Sequence, residues 1–135
     1  MRIWTYISLF LSAFISSLAL HAHAQVKVSD IALKSGESTD MGMIYWITRG
    51  ANCRSTLERI KGAEILEGPS ELAITIKEEM VLPRDCAKKV PGGKVILAAT
   101  NVKAPFHGKL VYRIKYQTKD GDRQSSYTYN ISLYP

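Results

Sequence analysis

Histidine and cysteine are both scarce, and their scarcity removes most routes to catalysis. Of three histidines in the 135-residue chain, His21 and His23 fall in an N-terminal stretch that reads as a leader, so His107 is the sole mature histidine. The two cysteines do not form C-x-x-C, and a single histidine does not complete a tetrahedral zinc set with them. Neither G-x-S-x-G nor H-E-x-x-H occurs. Glu78 and Glu79 are adjacent in a strand-like run; strand neighbours point to opposite faces and so cannot act as a carboxylate pair on one substrate. Gly92-Gly93 precedes another strand-like run, whereas a phosphate-cradling loop needs wider glycine spacing and a helix behind it. The expectation is a non-enzymatic protein with no cofactor and no metal.

The leader has the parts of a secretory signal: Arg2, an apolar run over residues 7–20, and small residues at Ala22-His23-Ala24. The apolar run falls short of the roughly 20 residues that span a bilayer. No cysteine follows it closely enough for a lipid anchor. Cleavage after Ala24 leaves a mature protein from Gln25, secreted or periplasmic, without a transmembrane span. Its 111 residues suit one domain (residues 25–135), in which about two-thirds of the unfolded surface can be buried. Losing Arg2 leaves 17 lysines and arginines against 12 acids.

Two cysteines in an exported chain imply one disulfide, Cys53–Cys86, formed in an oxidising compartment. In the chain-entropy description, closing such a loop stabilises the fold by about 3.5 to 4 kcal/mol.

Strand signals fill the mature chain. Residues 26–33 alternate imperfectly, as a strand with a bulge or a switch of sheet would. A loop follows over 34–40, then a strand over 43–48 and a turn at Gly50-Ala51-Asn52. Ser55 and Glu58 fit a capping box, predicting a turn or two of helix that stops at Gly62. Strands are expected at 63–66, 72–81 and 94–100, with Val90-Pro91-Gly92-Gly93 as a turn. The last two strands, 108–117 and 123–133, flank Asp120-Gly121, the favoured pair for a two-residue hairpin turn. That turn would oppose Ile114 to Tyr127, Tyr112 to Tyr129 and Leu110 to Ile131 on one face. Seven short strands separated by turn residues predict an all-β, antiparallel sandwich with a loop-to-loop disulfide.

The run Gly108-Lys109-Leu110-Val111-Tyr112-Arg113-Ile114 resembles the sixth strand of immunoglobulin-like and fibronectin-type domains, where a tyrosine precedes the buried inter-sheet position by two residues. That resemblance implies a seven-stranded immunoglobulin-like β-sandwich and carries no function with it. Ile114 stands where antibody domains have cysteine, and Trp46 precedes Cys53 rather than following it. Leu20-His21-Ala22-His23-Ala24 also resembles the processed end of small periplasmic copper carriers. Cleavage after Ala22 would expose His23 as a ligand that His107 could join, but Leu20 would then occupy a position that wants a small residue.

Charge is the more informative signal. Residues 49–61 hold Arg49, Arg54, Arg59 and Lys61 against Glu58, and residues 84–94 hold Arg84, Lys88, Lys89 and Lys94 against Asp85. Each segment nets +3, more together than the excess of the whole mature domain. A Cys53–Cys86 bond would draw these segments to one end. Arg49, Arg54, Arg59, Arg84, Lys88 and Lys89 are accordingly the candidate ligand-binding residues, for phosphate, carboxylate or sulfate groups on an anionic ligand or an exported protein. The competing reading is that each cation is separately solvated. A second surface, Lys109, Arg113 and Lys115 beside Ser126, Thr128, Asn130 and Ser132, would read a glycan or extend a partner's sheet, or simply face solvent. A nucleic-acid partner is not expected: the chain is exported, and aromatics do not interleave with the basic loops.

Overall fold

In the computed structural model, residues 28–48 and 52–135 are described; the expected leader and cleavage point, Arg49, and Gly50 and Ala51 of the expected turn lie outside them. Seven strands follow in order: β1 (Ser29–Lys34), β2 (Ser38–Tyr45), β3 (Leu57–Glu67), β4 (Leu72–Val81), β5 (Val90–Ala99), β6 (Phe106–Thr118) and β7 (Gly121–Tyr134). They form a four-stranded sheet of order β1-β7-β6-β3 and a three-stranded sheet of order β2-β5-β4.

Period-two alternation builds the core between the sheets. β6 turns Leu110, Tyr112, Ile114 and Tyr116 inward, β7 adds Ile131 and Leu133, and β5 meets them with Val95, Leu97 and Ala99. Tyr112 stacks on Tyr127 and Tyr129, with ring centroids 5.1 and 5.8 Å away. Burial and these neighbouring phenols push the Tyr112 hydroxyl far above its usual range, so it stays protonated. Trp46 closes the lower core by stacking on Tyr116 at 3.7 Å.

Four local expectations are corrected. The arrangement is not wholly antiparallel: β1 runs parallel to β7, from Ser29↔Tyr129 to Lys34↔Tyr134. Its Ile31 and Leu33 thereby reach the core, and the turn between Lys34 and Glu37 crosses to the other sheet. The short helix does not form. Ser55 Oγ accepts from the Leu57 N–H at 3.3 Å, but from Leu57 onward the chain pairs with β6 for eleven residues. Tertiary pairing outweighs a two-turn helix, whose nucleation is costly. Gly62, at φ 143°, marks a shift of register rather than a helix stop.

Gly92-Gly93 lies inside β5 rather than in a turn. Both neighbours press on it: a β-carbon on Gly92 would sit 2.2 Å from the Ile44 carbonyl oxygen, and one on Gly93 would sit 2.7 Å from the Lys77 carbonyl oxygen. The final hairpin is displaced by two residues. Thr118 Oγ1 accepts from the Asp120 N–H at 3.2 Å and donates to the Gly121 carbonyl at 3.3 Å, making Lys119-Asp120 the turn. Ile114 therefore opposes Ser125, and Tyr112 opposes Tyr127. A shift of two keeps every side chain on its expected face; a shift of one would have inverted them.

Candidate functional site

Three connections meet at one end of the molecule: β2 to β3, β4 to β5, and the β6–β7 turn. The Lys119 N–H donates to the Thr56 carbonyl at 3.2 Å and ties the first to the third. The disulfide Cys53–Cys86, with Cα atoms 5.9 Å apart, ties the first to the second. Residues flanking Cys53 form a short ladder of their own: Thr48 N–H donates to Arg54 O at 2.8 Å, Thr56 N–H donates to Trp46 O at 2.9 Å, and Ile47 bridges Ser55. The second cysteine follows a turn closed by Cys86 N–H donating to Pro83 O at 3.2 Å. Cys53 and Asp85 both hold left-handed backbone, at φ 41° and 65°. Aspartate adopts that region with little penalty and cysteine rarely does.

Beside the disulfide lies an open cleft of about 390 Å³ lined by Asn52, Cys53, Arg54, Ala87 and Lys88. Arg54 and Lys88 come to it from different loops. Among the described residues neither is ion-paired. Arg84 and Lys89 are exposed on the Lys88 loop, with Asp85 among them, but they do not line the cleft. Arg59 is elsewhere: it projects from β3, and its Nε donates to Gln117 Oε1 at 3.1 Å. Arg49 lies outside the described residues.

The outer face of the four-stranded sheet carries a larger cleft, about 540 Å³, lined by Lys61, Lys115, Asp122, Arg123 and Gln124. Its charges are largely matched. Arg113 donates to Glu64 through Nε, at 2.8 Å, and through a terminal nitrogen; Lys115 Nζ lies 3.3 Å from the same carboxylate. Lys61 pairs with Asp122 at 2.8 Å. Hydrogen bonds from Arg113 and Lys115 hold the Glu64 carboxyl below its usual range, and Lys61 does the same for Asp122. Glu64 and Asp122 do not stand out in the sequence, because their cation partners become neighbours only when β3 pairs with β6 and the hairpin folds.

A depressed Glu64 pKa contributes stability fully above the unfolded carboxyl range, and loses it as pH falls through the folded value. Acid titration of the thermal midpoint is therefore expected to be shallower in Glu64→Gln than in the native protein, with the two converging at the acid end. Parallel curves would contradict the pairing.

His107 sits at the far end of β6, its Nδ1 2.9 Å from Ser132 Oγ and its ring edge-on to Tyr134. His23, the other histidine of the copper alternative, lies outside the described residues. Among the described residues no three His, Cys, Asp or Glu side chains group as a metal site, and no helix is long and apolar enough to cross a membrane. No protein-family model, curated protein or solved structure matches the chain.

Proposed function

We propose that the chain is an exported, non-enzymatic binding module that takes an anionic group of its ligand or partner at the cleft beside Cys53–Cys86. The observation that carries this reading is the convergence of Arg54 and Lys88, brought from two loops by one covalent bond and left without acidic partners among the described residues. The guanidinium offers a planar fork for a carboxylate, phosphate or sulfate, and the ammonium offers a point charge beside it. The wider outer cleft is the weaker candidate for an anion, because Asp122 and Glu64 already pair with its Lys61 and Lys115, leaving Arg123 as its one cation without an ion pair among the described residues.

An immunoglobulin-like sandwich is the finer architecture we propose. Three arguments support it: two facing sheets with β2, β5 and β4 in one and β3, β6 and β7 in the other; a buried Tyr112 two residues before a fully buried Ile114; and loops clustered at one end. The disulfide would then brace the loop end rather than pin sheet to sheet.

Heparin oligosaccharides and phosphatidylglycerol vesicles, titrated separately in rising salt, test the binding role. Association with at least one is expected to weaken steeply as the screening length falls below about 10 Å. No association with either at low salt would contradict it. A second reading is an accessory domain that docks by strand pairing; the final hairpin offers no edge for it, since β6 and β7 are each paired on both sides, and the uninterrupted ten-residue edge of β4 takes that place.

A further inference from the structure

The sandwich has four edge strands, and they are defended unequally. β1 is six residues long. β2 shifts register between Asp40 and Met43, and β3 shifts three times along its pairing with β6. Short strands, bulges and charged side chains are what keep an edge from recruiting another chain. β4 is neither short nor bulged, and its three charges, Lys77, Glu78 and Glu79, are of both signs. It runs in unbroken register with β5 from Leu72↔Ala99 to Val81↔Val90, and its other side is unpaired among the described residues. Its end exposes Met80, at 54%, and the residue just beyond the strand, Leu82, is exposed at 47%.

We infer that β4 pairs antiparallel with β4 of a second copy of this chain, about a two-fold axis at Glu78. A two-fold axis normal to the sheet keeps each face of the strand with its like, so odd positions oppose odd and even oppose even. Centring on Glu78 sets Lys77 against Glu79 of the second copy, twice by symmetry, on the face that already carries Lys94. On the core-side face it sets Ile76 against Met80 and Ile74 against Leu82. Centring one residue earlier would oppose Lys77 to itself and Glu78 to Ile76. Centring two residues earlier would oppose Ile74 to Glu78. The Glu78 register matches charge with charge and apolar with apolar, leaving a single unfavourable contact, Glu78 against itself.

The space beside the edge fits this arrangement. A groove of about 370 Å³ runs between β3 and β4, lined on its apolar side by Ile60, Ala63, Ile74 and Ile76. Met80 of the second copy, opposite Ile76, enters it. Pairing would fuse the two three-stranded sheets into one of six strands and cover the exposed methionine and leucine.

Sedimentation equilibrium of the full mature protein is expected to show a reversible dimer. Lys77→Glu and Glu79→Lys should each weaken it about tenfold, since each places like charges opposite one another twice. Mixing the two variants, or combining both changes in one chain, should restore the native constant, and Glu78→Gln should tighten it. Lys77 and Glu78 are exposed, while Glu79 is partly buried with Lys77 and Lys94 of its own chain 3.9 and 3.6 Å from its carboxylate. Circular dichroism should stay near native in every variant, and the combined variant, which keeps an opposite-charge pair at 77 and 79 within each chain, should keep the native thermal midpoint. A protein that remains monomeric at its highest soluble concentration would overturn the inference. So would a dimer indifferent to Lys77→Glu, or variants that mixing fails to rescue. None of these changes touches the disulfide cleft, so either reading can fail alone.

Discussion

Replacing Cys53 and Cys86 with alanine is expected to lower unfolding stability by about 3 kcal/mol, seen as a fall in the urea midpoint at nearly native secondary structure. The bond closes a separation of 33 residues, and in the chain-entropy description that restricts the unfolded ensemble by about 3.7 kcal/mol at 25 °C. Part of this is offset. Cys53 holds left-handed backbone at φ 41°, and freeing the loop releases about 1 kcal/mol. Loop entropy wins, and the net effect is a loss. The same variant should bind an anionic probe less well even where it remains folded, because Arg54 and Lys88 share a cleft only while their loops are joined. An unchanged midpoint would show that the remaining contacts fix this end without the bond.

The second large effect is at Gly92. Gly92→Ala is expected to cost about 3 kcal/mol or more, at the upper end of overpacking changes. The added methyl would meet the Ile44 carbonyl oxygen at 2.2 Å and a Val81 methyl at 2.8 Å. A side chain can swing aside, but a backbone carbonyl in a paired strand moves only if β2 separates from β5. Gly121→Ala provides the contrast. Nothing lies within 4 Å of a β-carbon there, and the penalty is only that of φ 114°, about 1 kcal/mol. Comparable losses at the two positions would contradict the close approach of β2.

These two sites show what could be read from the chain and what could not. The disulfide was legible because two cysteines leave one pairing. The inward set of the last hairpin was legible because its alternation survives a shift of two residues. The turn itself was not, since Asp120-Gly121 signals one loop and the Thr118 hydroxyl closes another. Gly92-Gly93 has a turn's composition, and only the proximity of Ile44 and Lys77 explains glycine inside a strand. Ser55 makes a local hydrogen bond with the Leu57 N–H rather than a capping box with Glu58, and pairing with β6 decides the conformation of β3. A helix up to Gly62 would carry Lys61 away from Asp122 and Arg59 away from Gln117, whereas Glu64 falls in an expected strand and only the pairing of that strand with β6 supplies its partners. Of the candidate ligand residues, the structure brings Arg54 and Lys88 together at the disulfide; Arg84 and Lys89 share the Lys88 loop without lining the cleft, and Arg59 lies on β3, bonded to Gln117.

The central claim is that the cleft beside Cys53–Cys86 takes an anion, and the most direct test compares charge reversals on the probe the native protein holds best, heparin oligosaccharide or phosphatidylglycerol vesicle. With Arg54→Glu and Lys88→Glu combined, binding is expected to fall at least a hundredfold at low salt and to lose most of its salt dependence, at about 1.4 kcal/mol for each factor of ten. Arg59→Glu, away from the cleft, should retain most of the affinity. Binding that survives the double reversal, or that Arg59→Glu weakens just as much, would contradict the account.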